Sequence, residues 1–400
     1  MGSLHLTCLL LWCGYLYPLV ALAASLDAAQ LAPSDDATGE MRIAHLQTLL
    51  AMTPAALANW PEAEGKAIKY SSVPGYFLQD DPATDASKFD YAEHNLGLID
   101  RSYSTDKNYN SDGSKTQWQR FARWVSYLNK SCRKDSTVRY KVLVMGRHGQ
   151  GYHNAAESYY GTPAWNCYWA ELDGNGTSVW ADPQLTPQGI TEAAKASAFY
   201  RTRYEELGMP YFESYYSSPL TRCIQTAHRT FANLSLPATA APFAPVIKEL
   251  FRESVSIHTC DRRSSKTHIR GIAPQCTFED GFTEEDELWR GTEGETSAGQ
   301  KARNKVVLDD VFTHDANTWI SITSHSGEIA SLLDVLGHRK FGLQTGQIIP
   351  VLVKAEIVDA PTTTSSIVSF TPEATCNSPP VTSIAGQGCI CTASATPTPQ

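Results

Sequence analysis

Apolar and polar positions along the chain follow two periods. "VRYKVLVM" (Val138 to Met145), "YFESYYSS" (Tyr211 to Ser218), "APVIKELF", "WISITSHSG" (Trp319 to Gly327) and "QIIPVLVKAEIV" carry short apolar runs of strand length. Between them, apolar residues recur three and four positions apart. "TQWQRFARWVSYLNK" places Trp118, Phe121, Val125 and Leu128 on one helical face. "LTPQGITEAAKASAFYRTRYEEL" predicts a helix capped by Thr186 and opened by Pro187. The threonine oxygen satisfies an orphan N–H there, and proline has none to satisfy. "PLTRCIQTAHRTFANL" predicts another, with Ser218 as cap and Pro219 at its first position, and "GEIASLLDVLG" a further one. A helix is also expected over Met41 to Asn59, where Ile43, Leu46, Leu49 and Leu50 share a face. Gly75 to Gly113, rich in Asp, Asn, Ser and Tyr, reads as loop. Strands alternating with helices predict an α/β fold, three α/β/α layers around a mostly parallel central sheet.

The two ends depart from this pattern. Leu6 to Ser25 is an apolar run ending in small residues, and Ala21-Leu22-Ala23 fits a cleavage signal, so residues 1–24 are expected to be a secretory signal peptide. A membrane anchor is the competing reading. Residues 25–135 are expected to form an N-terminal extension packed on a core of 136–358. From Asp359 to Gln400, half of the residues are Ser, Thr or Pro, which predicts a disordered, O-glycosylated tail. No terminal hydrophobic run follows to support a lipid anchor.

Composition narrows the partners. A net charge of −9 gives no basic footprint for nucleic acid or for an anionic membrane surface. After signal cleavage no membrane contact is expected, and the protein is read as extracellular or wall-associated. Cys132, Cys167, Cys223, Cys260, Cys276, Cys376, Cys389 and Cys391 would remain, an even set that permits disulfides; the tail cysteines suggest a small local staple. No C-x-x-C pair supports zinc or redox chemistry. Asn129, Asn175 and Asn233 open N-glycosylation sequons.

Candidate chemistry sits where strands end. Arg147-His148-Gly149 follows "KVLVM", Arg222 lies just after "SYYSSP", and His325 follows "WISITS". Parallel sheets place their sites beyond the carboxyl ends of strands, so these groups are expected on one rim. Guanidinium forks and helix N-termini suit a phosphoryl dianion. Taken singly, each residue has a plainer reading, as a surface ion pair or a hydrogen-bonded loop histidine.

The ordered set "RHGQGYHN", "LTPQG", "SSPLTRCIQTA", "ELFRES", "HTCDRR", "GFTEEDELW", "SITSHSGEIASLL" and "GQIIPVLVKAE" resembles the histidine phosphatase superfamily, in its phosphoglycerate mutase-like branch. The resemblance runs from about Tyr70 to Val358. It implies His148 as the nucleophile that forms a phosphohistidine. Arg147, Arg222 and Asn154 would bind the phosphate, His325 would complete the pocket, and Glu253 would donate a proton to the leaving oxygen. Glu249 and Glu213 compete with Glu253 for that role. Arg262 and Arg263 would extend the phosphate site or brace a loop. His153, His258 and His268 are read as structural or peripheral, and Cys223 and Cys260 as buried thiols. Two departures stand out. Glu192 replaces the usual glutamine, on what reads as a helix surface. Gly151 stands where the acid phosphatase branch has arginine, which argues against the phytase-like group, and the small cap region suggests a modest substrate.

The expectation is a secreted phosphomonoester hydrolase acting on a small phosphorylated substrate, with no metal or cofactor required. A phosphoglycerate-type phosphomutase is the nearest alternative. A catalytically silent, glycosylated binding protein on the same fold is the alternative of another class. The "SHSG" stretch lacks the G-x-S-x-G elbow of α/β hydrolases.

Overall fold

Val142, Leu143, Val144 and Met145 are all buried, so both faces of their strand are covered, as a central parallel strand requires. A computed structural model describes residues 65–132, 137–360, 367–381, 383–384 and 388–391. The signal segment and the helix expected over Met41 to Asn59 lie outside the described residues. In chain order the main elements are β1 (Lys66–Ser72), α1 (Gln117–Ser131), β2 (Val138–Arg147), α2 (Tyr152–Tyr160), α3 (Thr162–Cys167), α4 (Pro187–Glu205), β3 (Ser214–Ser217), α5 (Thr221–Phe231), β4 (Val246–Ile247), α6 (Lys266–Ile272), β5 (Thr277–Phe278), β6 (Glu293–Glu295), α7 (Ser297–His314), β7 (Trp319–Ser324), α8 (Ser326–Val335), β8 (Ile348–Asp359) and β9 (Phe370–Pro372).

Seven strands form the central sheet in the order β1-β8-β2-β7-β3-β4-β5. Every neighbouring pair from β2 to β5 is parallel, whereas β8 runs antiparallel to both β2 and β1. The carboxyl ends of β2, β7, β3 and β4 therefore share one rim. Thr186 caps α4 through Gly189 N–H, with Pro187 at the first position. Helix α5 begins at Thr221 rather than at Pro219, with the Ser218 hydroxyl meeting His325 and accepting from Leu220 N–H (3.3 Å) just ahead of it. Among the described residues no helix is long and apolar enough to cross a membrane.

Three features lie beyond the sequence pattern. The loop over 75–113 is not a surface excursion. It carries Tyr76, Phe77, Phe89, Tyr91, Leu96, Leu98 and Tyr103 into the main core, while β1 closes the sheet edge. Helix α7 buries Gln300, Arg303 and Asn304 beside Val307, Leu308, Val311 and Phe312, so polar residues on its inner face hide its apolar period. Parts of the tail, expected to be disordered, are held: β9 pairs with β6, and Phe370 lies 4.1 Å beneath the Arg290 guanidinium. Cys376–Cys391 is a local staple, but Cys389 bonds Cys167 at the end of α3. Cross-links and backbone pairing do there what apolar burial cannot. Cys223 and Cys260 are buried free thiols.

Candidate active site

At the end of β2 the chain turns at His148, which is 1% exposed. Its N–H donates to the Ser324 carbonyl (2.9 Å), and its own carbonyl accepts from Gly346 N–H (3.0 Å). The ring Nδ1 lies 2.7 Å from the Gly149 carbonyl. A carbonyl only accepts, so Nδ1 carries the proton and the lone pair is on Nε2. Burial, then the charges of Arg222 and Arg147, hold the imidazole well below its usual pKa, so the ring is neutral. Gly149 and Gly189 are glycine because their backbones meet. A Cβ on Gly149 would collide with the Gly189 carbonyl, and one on Gly189 with the Gln150 carbonyl.

Arg222, in the first turn of α5, is 1% exposed and reaches three groups. Its Nη1 donates to the Cys260 carbonyl (2.6 Å), Nη2 pairs with Asp261 (3.4 Å), and Nε donates to His325 Nδ1 (3.3 Å). A guanidinium has no acceptor, so His325 accepts at Nδ1 and its proton is on Nε2, 2.7 Å from Ser218 Oγ. The Ser218 side chain thus tethers His325 while also accepting from Leu220 N–H at the start of α5. The rings of His148 and His325 lie 5.0 Å apart. Arg147 donates from Nη1 to the Leu343 carbonyl (2.8 Å), while its Nε is buried with no partner among the described residues.

His153, expected to be structural or peripheral, stands in this site. Its ring is 5.4 Å from that of His148, and burial followed by Arg222 lowers its pKa well below the usual value. Its position in the first turn of α2, directly after the His148 turn, is the signal that marks it. Asn154 Oδ1 accepts from Gly151 N–H (3.0 Å), which fixes the turn leading into α2.

Glu253 follows β4 through the single turn Glu249–Phe251. Its carboxyl oxygens accept from Ser254 N–H (3.0 Å) and from Gly327 N–H (3.1 Å) in the first turn of α8. Burial, then the nearby Asp261 charge, raises its pKa, which favours a carboxyl that can hold a proton. The rival acids are committed elsewhere. Glu249 is paired with Arg252 and Arg263, and Glu213, ahead of β3 at the opposite end of the sheet, accepts from Thr318 and Trp319 N–H.

Two candidate phosphate ligands are corrected. Arg263 is a loop brace: it pairs with Glu249 (2.6 Å) and donates to the carbonyls of Ser264, Thr283, Glu284 and Glu285. Arg262 pairs with Asp173 (2.7 Å) and lies over the Trp289 ring. Glu192 is not a free surface residue either, since it accepts from Gln150 N–H (2.7 Å) and Thr345 Oγ1 (3.0 Å) and so joins two loops of the rim. His258 meets the Asn166 carbonyl at 3.3 Å, and His268 is exposed on α6. Of the sequons, Asn175 and Asn233 are exposed, whereas the Asn129 amide bonds both the N–H and the C=O of Tyr140.

The rim therefore gathers Arg147, His148, His153, Arg222, Glu253 and His325, a neutral imidazole lone pair among cationic and N–H donors, with one acid beside it. Residues 169–344 match a family model described as the histidine phosphatase superfamily (branch 1); that span contains Arg222, Glu253 and His325 and starts downstream of His148. A protein of Arthroderma benhamiae named "Probable phosphoglycerate mutase" is 49% identical over 315 residues, covering 78% of this chain and 93% of that one. "Phosphomutase-like protein 3" of Candida albicans is 34% identical over 289 residues, covering 72% and 81%. A Saccharomyces cerevisiae protein, "Probable phosphoglycerate mutase PMU1", is 30% identical over 310 residues, covering 72% and 96%. The chain belongs to the histidine phosphatase superfamily, in its phosphoglycerate mutase-like branch, whose members are phosphatases or phosphomutases.

Proposed function

We propose that the protein is a secreted phosphomonoester hydrolase that works through a phosphohistidine at His148. In the first step the Nε2 lone pair forms the P–N bond as the ester P–O bond breaks, and the Glu253 carboxyl gives its proton to the departing alcohol oxygen. In the second step water attacks phosphorus, Glu253 takes back a proton, the P–N bond breaks, and inorganic phosphate leaves with the lone pair restored. Splitting one displacement into two is the gain from a nucleophile held this way. Arg147 and Arg222 hold the phosphoryl oxygens and stabilise the charge that builds on them. The Nδ1 bond from His148 to Gly149 carries this reading, because it leaves Nε2 as the nucleophilic atom. The two disulfides and the exposed sequons at Asn175 and Asn233 fit an oxidising, secretory route.

The decisive experiment measures phosphate release from an aryl and an alkyl phosphate by wild type and His148→Ala, with acid-labile labelled phosphoenzyme trapped in parallel. Turnover and label are expected in wild type and absent from the variant; activity persisting in His148→Ala removes the nucleophile assignment. The names of the relatives favour a second reading, a phosphomutase. Phosphoglycerate isomerised without release of phosphate would select it. Neither turnover nor label would select the binding-protein reading.

A further inference from the structure

Glu253 sits on an irregular segment between β4 and β6, where no ladder fixes the backbone. What fixes it comes from α7. Arg303, itself 7% exposed, donates from Nη1 to the carbonyls of Leu250 (2.7 Å) and Arg252 (3.0 Å), and from Nη2 to that of Glu253 (3.4 Å). The same guanidinium forms a two-pronged pair with Glu295, Nε to Oε1 at 2.9 Å and Nη2 to Oε2 at 2.8 Å. Glu295 then reaches the far side of the segment, accepting from Val255 N–H at 3.3 Å, while its own N–H donates to the Val255 carbonyl at 2.6 Å. Glu328, in the first turn of α8, closes the group at 3.3 Å from Nη2. The backbone on both sides of Glu253 is thereby tied to one planar cation. Its side chain is tied to Gly327, in the same turn as Glu328.

We propose that Arg303, acting with Glu295, is a positioning residue for proton transfer at Glu253, setting where that carboxyl sits without touching substrate. The proposal rests on the reading of Glu253 as the proton donor. The arrangement points to position rather than charge. Arg303 takes backbone carbonyls and the carboxyl groups of Glu295 and Glu328, whereas the Glu253 carboxyl takes backbone N–H groups. Burial opposes the Arg303 charge, but Glu328 and Glu295 outweigh it, so the fork stays cationic throughout. Arginine's fixed fork is what three carbonyls and a carboxylate require together, and lysine cannot copy it.

A misplaced proton donor has a signature that general structural damage lacks. Alkyl esters need their leaving oxygen protonated, whereas p-nitrophenolate leaves without help. The experiment compares kcat/KM, which ends at phosphoenzyme formation and so leaves out the second step common to both esters, for glycerol phosphate and p-nitrophenyl phosphate in wild type, Glu253→Gln, Arg303→Met and Arg303→Lys, with melting curves and phosphoenzyme trapping. General acids contribute typically ~10²–10⁴-fold, so Glu253→Gln is expected to lose that much on the alkyl ester and far less on the aryl ester. Arg303→Met is expected to show the same split, with an alkyl loss at least about ten times the aryl loss. Arg303→Lys is expected to recover little of it. Equal losses on both substrates, or no loss on either, overturn the proposal. Glu295→Gln, which keeps shape and removes the charge holding the fork, is read by the same rule if Arg303→Met does not fold. Wild type that traps no label overturns the reading of the site itself; normal trapping without a leaving-group split overturns the Arg303 proposal alone.

Discussion

Gly327 and Glu253 are in direct backbone-to-side-chain contact: the glycine N–H donates to the carboxyl Oε2 at 3.1 Å, and a Cβ on Gly327 would collide with Oε1. Gly327 lies inside the first turn of α8, where alanine is the better helix former by about 0.8–1 kcal/mol. Gly327→Ala is therefore expected to lower kcat on alkyl phosphates by about tenfold or more, through displacement of the proposed general acid, with the gain in helix propensity offset by overpacking against the buried carboxyl. Kinetics and calorimetry on the same preparation check this; activity unchanged alongside raised stability would show that the carboxyl is free to move.

In the proposed mechanism Glu253 is protonated in the first step, and burial with Asp261 raises its pKa. Hydrolysis of alkyl esters is expected to fall on the alkaline side as Glu253 ionises, at a pH above that of an ordinary carboxyl. His148 is held well below its usual pKa, so its protonation limits activity only at lower pH. Activity on alkyl esters is therefore expected to peak between the two titrations. Glu253→Gln removes the alkaline limb for alkyl esters; a limb that persists in the variant assigns it to another group.

Glu328 has no exposed surface, and burial together with the nearby acids Glu295 and Glu253 outweighs Arg303, pushing its pKa from 4.5 to about 8. Between those values the folded state holds a proton that the unfolded chain releases, so this group's stabilising contribution is full below pH 4.5 and is lost as pH rises through 8. Glu328→Gln is expected to be more stable than wild type at pH 8.5, with the difference shrinking toward pH 5. Urea titrations at the two pH values measure it, and a difference that does not change with pH refutes the assignment.

The Gly149–Gly189 contact joins the His148 turn to the cap of α4. Gly189→Ala forces one backbone off another, and overpacking of that kind costs about 1–3 kcal/mol. Denaturation should show the loss, with kcat falling as the His148 turn shifts. A neutral result would mean that the two turns separate freely.

On expression through a secretory host, Asn175→Gln and Asn233→Gln are expected each to remove a glycosidase-sensitive mass, and Asn129→Gln none. The Asn129 amide is already bonded to Tyr140 on both sides. Intact-mass measurement decides, and a glycan on Asn129 would require that pairing to open.

How far the site could be read depended on where chemistry meets periodicity. Arg147, Arg222 and His325 were legible because apolar runs stop at them, and a parallel sheet turns such stops into one rim. Glu253 needed its family motif, because the residue follows an irregular turn that no period marks. Arg263 was illegible for a different reason: a cation aimed at a phosphate and a cation absorbed by four loop carbonyls have the same letter. Helix α7 was hidden because its buried face includes Gln300, Arg303 and Asn304. The aromatic loop over 75–113 was recognised as loop but not as core, since irregular backbone carries no face to count.

His148 is anchored at its N–H by Ser324, at its carbonyl by Gly346, and at its ring by Gly149. Three restraints on one residue leave the imidazole almost no room to travel along the reaction coordinate. If it is the nucleophile, phosphorus must do the moving, swinging toward a stationary nitrogen and away again to water. Each transfer inverts the phosphorus, so two passes through the same fixed atom return it to its starting hand. A chiral phosphate ester would record that as net retention.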